Sequence, residues 1–391
     1  MATYFSEYFG VKPAVLDQYG AFDISLVTDL PLFIDPFLVF NSRKPEYQAL
    51  HAEIVRYLRF LRDKATAAQV EPGLLQAWFR FPEVRQTWLG FSVVGNRGSG
   101  LGTDFAAALR ENLHALFADL GDERITRGSH LEKLCLVREG VGRDNISDFA
   151  TNLIKGFLCE YTQTFAREHL PPEQRRAVGV PRVRFNYETE TWERQEFELP
   201  WVNGDYVLLT PKDLLTRIDT WINKTDLFEE FSQLPPAISD EELRAQVNNY
   251  FAQVLRHKPR RQPTRKERGE AIVETIRRFP QLIDVYIRHK EDHGEQATSI
   301  SSERVRISEA LYTRQFRALQ AMLAHESGFY TVAGNTHEEA HQRVTYMKDV
   351  IENKGAHKSL HRNGQPLDRE EDLQLLYRLT WIGTLLTSAA R

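Results

Sequence analysis

Arg182–Leu199 reads RVRFNYETETWERQEFEL, and Tyr206–Pro211, YVLLTP, follows a few residues later. Val183, Phe185 and Tyr187 alternate with polar residues, and Phe197 and Leu199 do so again beyond the polar Glu188–Thr191. This patterning predicts a hairpin of Arg182–Tyr187 with Trp192–Leu199. Tyr206–Thr210 predicts one more short strand, with Pro211 opening a helix after it.

On the N-terminal side, Glu46–Ala68 (EYQALHAEIVRYLRFLRDKATAA) places Leu50, Ile54, Tyr57, Leu58 and Leu61 on one helical face. A helix is expected over Ser147–Glu168, with Ile154, Phe157, Leu158, Tyr161 and Phe165 aligned. Ala21–Leu26 and Leu30–Phe40 read as strands, and Leu74–Phe81 and Trp88–Val94 as extended chain. Strands and helices thus mix over residues 1–235, an α/β or α+β domain. Pro235-Pro236 closes it. Beyond, helical spacing recurs over 239–256, 267–289, 302–325, 336–353 and 368–387, an all-helical domain over 236–391.

The chain has 391 residues, 42% hydrophobic and 27% charged, a composition that supplies globular cores rather than disorder. Its length suits two or three domains, since single cores stop growing near about 250–300 residues. Apolar runs such as Leu30–Phe40 are interrupted by Asp35 and Pro36, short of the roughly 20 residues a membrane-spanning helix needs. MATYFSEYFGV lacks the layout of a secretory signal. Two cysteines, Cys135 and Cys159, exclude a disulfide framework or zinc ribbon. A cytoplasmic protein is the expectation.

The net charge of −4 gives no global pull toward nucleic acid. Locally, Arg256–Arg268 (RHKPRRQPTRKER) carries seven Lys/Arg against one Glu. It reads either as a solvated basic linker or as a phosphate-contacting strip, with Arg260, Arg261, Arg265 and Lys266 as the nucleic-acid contacts.

Other motifs carry chemistry. Arg97, Gly98, Gly100 and Gly102 lie between an expected strand and the helix Phe105–Leu120, where backbone amides could hold a phosphate. The spacing matches neither the dinucleotide nor the P-loop pattern, so a plain connection is the competing reading. Asp144 and Asp148 flank Ser147, the expected helix start, with Glu132 on the preceding apolar run HLEKLCLV read as a strand. The three carboxylates could share Mg²⁺ or Mn²⁺ in a hydrolytic site. Asp and Ser are also ordinary capping residues. His337–His341 (HEEAH) matches the zinc-protease motif literally, but Gly334-Asn335-Thr336 puts His337 at a helix start, and coincidence is the reading adopted. Lys212 lacks the acid two residues earlier that a nuclease strand lysine requires, because position 210 is Thr.

The runs His337–Val344, Tyr346–Asn353, Asn363–Leu367 and Arg369–Trp381 resemble the region before the nuclease domain in large bacterial proteins of the PD-(D/E)xK restriction-endonuclease-like class. Asp144–Asn152 and Val207–Ile222 resemble upstream parts of the same proteins. In that class the Trp381-like position leads into a Gly-Arg-Gly-Pro-Val-Asp segment and a Glu-x-Lys strand, whereas here Leu385–Arg391 reads LLTSAAR. The resemblance therefore implies the body of a defence protein without its cutting residues. The expectation is a non-catalytic sensor or scaffold subunit of anti-phage defence. It would act with a second protein of the same system as effector, and a phage component, nucleic acid or a further copy of the chain are other candidate partners. The alternative is a metal-dependent nuclease or phosphohydrolase using Glu132, Asp144 and Asp148.

Overall fold

The structure is a computed structural model that describes residues 3–65, 71–90, 123–137, 143–256, 263–325, 336–362, 365–366 and 370–379. In chain order its helices begin with α1 (Phe5–Tyr8), α2 (Pro13–Tyr19), α3 (Pro36–Asn41), α4 (Pro45–Ala65), α5 (Pro72–Phe79), α6 (Lys133–Val137), α7 (Arg143–Leu153) and α8 (Lys155–His169). The strands are β1 (Phe33–Ile34), β2 (Arg175–Asn186), β3 (Thr191–Val202), β4 (Asp205–Tyr206) and β5 (Leu215–Thr216). Then come α9 (Lys224–Glu229), α10 (Leu234–Ala237), α11 (Glu241–Arg256), α12 (Arg265–Arg278), α13 (Gln281–Asp292), α14 (Gly294–Glu309), α15 (Phe316–His325), α16 (Thr336–Asn353) and α17 (Glu370–Leu379). A two-residue ladder, His361–Arg362 with Gln365–Pro366, interrupts the helices. The fold is a mixed N-terminal part followed by a helical C-terminal part. The named strands pair only antiparallel, which makes the mixed part α+β.

The hairpin forms as the alternation requires, β2 against β3, with β4 on the outer side of β3. Phe185 faces Trp192 in register. The two rings stand 5.2 Å apart and close over Tyr57 and Phe60 of α4. The α4 face is the one its spacing predicts: Ile54, Tyr57, Leu58 and Leu61 are buried and Leu50 is half-buried. The register shifts between Val180 and Arg184, where Pro181 removes a ladder donor and Arg182 takes φ +57.

That bulge is where α8 docks. A Cβ at Gly156 would lie 2.6 Å from the carbonyl oxygen of Val183, so only glycine lets the helix approach the strand so closely. Gly156→Ala is expected to destabilise the chain by about 1–3 kcal/mol in urea unfolding, the usual cost of overpacking a fitted contact. An unchanged midpoint would mean that the helix can back away freely.

Several extended readings become helices. Leu30–Phe40 is strand only at Phe33–Ile34, because Asp35 accepts the Phe37 amide at 3.0 Å and Pro36 starts α3. Ala21–Leu26 holds only isolated bridges, Ala21 with Pro211 and Tyr4 with Ser25. Leu74–Phe81 belongs largely to α5, and the run around Glu132 turns into α6 instead of a strand. Ser147–Glu168 is two helices meeting at Ile154. Tyr206–Thr210 pairs only at its first residue, and a 3₁₀ turn, Lys212–Leu214, follows Pro211. Trp88 has φ +54, so it is not extended, and Phe91–Val94 lies outside the described residues.

The two parts of the chain share contacts. Arg317 pairs with Glu7 and Asp23, both at 2.9 Å, and lies over the Tyr4 ring. The Tyr4 hydroxyl donates to the carbonyl of Tyr312, inside the π-helical turn Ala310–Gln315 that joins α14 to α15. A π turn leaves carbonyls off the i→i−4 ladder, open to such a donor. Among the described residues, no helix is long and apolar enough to cross a membrane. Cys135 and Cys159 are buried and free, and burial pushes the Cys159 thiol up to about 12.

Candidate functional site

The acidic trio does not converge. α7 begins at Arg143 rather than Ser147, so Asp144 and Asp148 sit one turn apart on the same helix. Ser147 does not cap α7; its hydroxyl accepts the Ile34 amide at 2.9 Å and fastens β1. Burial, with Asp144, Glu83 and Asp29 nearby, pushes Asp148 up to about 8. Glu132 answers to different neighbours. It is 0% exposed, and its charged neighbour is Asp35. Burial is the main reason both are raised, and it takes Asp35 to about 7. Among the described residues, no group of three or more His, Cys, Asp or Glu is placed to hold a metal ion. The proposed sharing of Mg²⁺ or Mn²⁺ by Glu132, Asp144 and Asp148 is therefore corrected. The local spacing was suggestive, but packing sends Glu132 to Asp35.

His337 and His341 are one turn apart on α16, both exposed, with His337 in the first turn. Arg97, Gly98, Gly100 and Gly102 lie outside the described residues, as do Arg260 and Arg261.

Arg265 and Lys266 fall elsewhere. They form the first turn of α12, not a linker, because Thr264 caps the helix. Its hydroxyl accepts the Glu267 amide while the Glu267 carboxylate accepts the Thr264 amide. Between α12 and α9 opens a groove of about 1050 Å³, lined by Lys224, Phe228, Arg265, Lys266, Gly269, Glu270, Val273, Glu274 and Arg277. A recess of about 490 Å³ carries it on to Thr225, Glu229 and Arg268. Five cations thus border the groove against the three carboxylates of Glu229, Glu270 and Glu274. Arg265 pairs with Glu229 at 3.3 Å across the rim, with side chains 91% and 62% exposed. Such a solvated pair is worth little and can be exchanged for a ligand phosphate.

The groove floor is Gly269 facing Phe228: a Cβ on Gly269 would lie 3.9 Å from the ring. Phe228 is half-buried and lines both the groove and its recess. α9 is held from behind by Lys290 of α13. The Lys290 ammonium reaches Asp226 at 2.6 Å and Glu230 at 3.1 Å. It lies over the Trp221 ring at 4.6 Å and the Tyr286 ring at 5.5 Å. Sequence reasoning found Arg265 and Lys266 through the basic run. It missed Lys224 and Phe228, which belong to a separate short helix with no charge run to mark it.

The family model described as Domain of unknown function (DUF8370) matches residues 10–223, more than half of the chain. A second, described as Domain of unknown function (DUF8371), matches residues 336–389. No curated protein matches the chain, and no solved structure does. The groove, built from residues 224–229 and 265–277, falls between the two matched segments.

Proposed function

We propose that this chain, which belongs to the DUF8370 family, binds nucleic acid in the groove between α9 and α12 and works by recognition rather than by cutting. One observation carries the reading: Lys224, Arg265, Lys266, Arg268 and Arg277 converge from two helices on one open groove, in a chain whose net charge is −4. Cations concentrated on one face against an acidic background give a phosphate backbone a place to dock. Support for recognition without cutting comes from the carboxylates, since Glu132 is enclosed with Asp35 while Asp144 and Asp148 have other neighbours. The resemblance of Asp144–Asn152, Val207–Ile222 and the runs within His337–Trp381 to bacterial defence proteins supplies the setting. There, a partner protein would carry the effector step.

The test is fluorescence anisotropy with labelled DNA and RNA oligonucleotides, titrated over salt. Binding should weaken linearly in log[salt], with a slope of roughly −0.7 to −0.9 per phosphate neutralised. Reversing Arg265, Lys266 and Arg277 to Glu should lower affinity by about 10- to 100-fold at low salt and flatten that slope. Arg265, Lys266 and Arg277 are exposed, so the melting temperature should stay put. Equal affinity and slope in the triple variant would remove the groove from the account.

A further inference from the structure

Resting on the nucleic-acid reading of this groove, we infer that its occupant is a single strand with its bases turned inward, one of them stacked on Phe228. The charge order along α12 argues for this. Arg265 and Lys266 stand at one end of the groove, Glu270 and Glu274 in its middle, and Arg277 at the other. The helix rises about 1.5 Å per residue, so the end cations stand about 18 Å apart. A duplex laid along this face would press its phosphates or its electronegative groove edge against two carboxylates. A single strand separates the two demands. Its phosphates reach the end cations, and its splayed bases meet the middle, where carboxylates accept from exocyclic amino groups.

The floor is built for a ring. Phe228 is half-buried against the core and lines the groove, and a Cβ at Gly269 would already touch its ring edge at 3.9 Å, so a longer side chain there would lie against the ring. The Lys224 ammonium lies over the same ring, 5.7 Å from its centre, and on a flexible stem it can turn to the phosphate of a nucleotide that stacks there. Glu274 is steadied from outside the groove, since the Tyr250 hydroxyl of α11 donates to it at 3.1 Å. An aromatic platform with flanking cations takes any base, so binding should be tolerant of sequence and selective for strandedness.

Anisotropy competition with three probes of equal length tests this: a single-stranded oligonucleotide, the same sequence as a blunt duplex, and an abasic sugar–phosphate strand. The single strand should outcompete both others by at least about tenfold. Phe228→Ala should weaken single-strand binding by about 5- to 150-fold, the range for losing one base–aromatic stack. Phe228→Trp should restore it, which separates stacking from loss of fold. If the duplex or the abasic strand binds as tightly as the single strand, or Phe228→Ala binds normally while the triple charge variant fails, this inference falls and the nucleic-acid reading survives. Absence of binding to every probe overturns both.

Discussion

Glu132→Gln is expected to raise the unfolding free energy by about 2 kcal/mol at pH 8 and to change it little at pH 4. The cause is a pair of carboxyls enclosed together. Glu132 and Asp35 are both 0% exposed. Asp35 is partly compensated, since it accepts the Phe37 amide at 3.0 Å and the Trp221 amide at 2.7 Å. At Glu132 the nearby backbone amides, that of Phe37 among them, lower the value less than burial and Asp35 raise it. Burial first lifts both folded-state values, Asp35 to about 7; repulsion from Asp35 adds to the rise at Glu132, and repulsion from Asp219 to that at Asp35. A carboxyl whose folded pKa lies above its unfolded value holds protons in the native state that the unfolded chain has released. Stability therefore falls as pH rises from about 4 toward the folded value. Asp148, pushed up to about 8, has the same sign. His51 opposes them: burial, with His130 beside it, lowers it to about 4, so its contribution is present above about 6.5 and lost as pH falls toward 4. Comparing the variant with the parent at each pH cancels Asp148 and His51. What remains is Glu132, with the relief it gives Asp35. Urea unfolding at pH 4, 6 and 8 measures it. A stability difference that is the same at all three would mean that protonation of this pair plays no part.

How legible the molecule is in its sequence depends on how local the deciding physics is. The α4 face, the β2–β3 hairpin and the start of α16 rest on periodicity or on turn residues within a few positions, and all three stand where the sequence places them. Asp35-Pro36 is equally local but carries two signals: the apolar run suggests a strand, while the Asp-Pro pair states a capped helix start, and the cap wins. The Glu132 segment could not be read at all from its own residues. HLEKLCLV has the composition of a buried strand, yet it folds as a turn and a short helix whose neighbours, Asp35 and Ile222, are distant in sequence. The groove was half legible. The charge run pointed to Arg265 and Lys266, but Phe228 and Lys224 come from α9, and nothing in sequence pairs these helices. The π turn at Ala310–Gln315 has no local signal either; the Tyr4 hydroxyl that meets its Tyr312 carbonyl comes from 308 residues away in sequence.

Glu291→Ala is expected to cost about 3–5 kcal/mol, the largest single-residue loss argued for this chain. Its side chain is 0% exposed and works as the socket for the Arg127–His130 loop. The carboxylate accepts the Arg127 amide at 2.7 and 2.9 Å and the Gly128 amide at 3.2 Å, and stands 2.8 Å from His130 Nε2. Truncation leaves two part-buried amides and the buried imidazole of His130 without this acceptor, and His130 is the ring on which Phe37 and Phe40 pack. Glu291→Gln keeps one acceptor oxygen and should cost about 1–2 kcal/mol. Urea unfolding gives both numbers, and trypsin should cut after Arg127 sooner in the Ala variant, because the loop has lost its anchor. The neighbouring residue makes the contrast informative. Lys290 turns the other way, to Asp226 and Glu230 on the helix that carries Phe228 and Lys224. Lys290→Met should therefore weaken single-strand binding as well as stability, whereas Glu291→Ala should spare affinity in the molecules that remain folded. If both variants lose affinity in step with stability, α9 is not held separately, and the groove is only as firm as the whole fold.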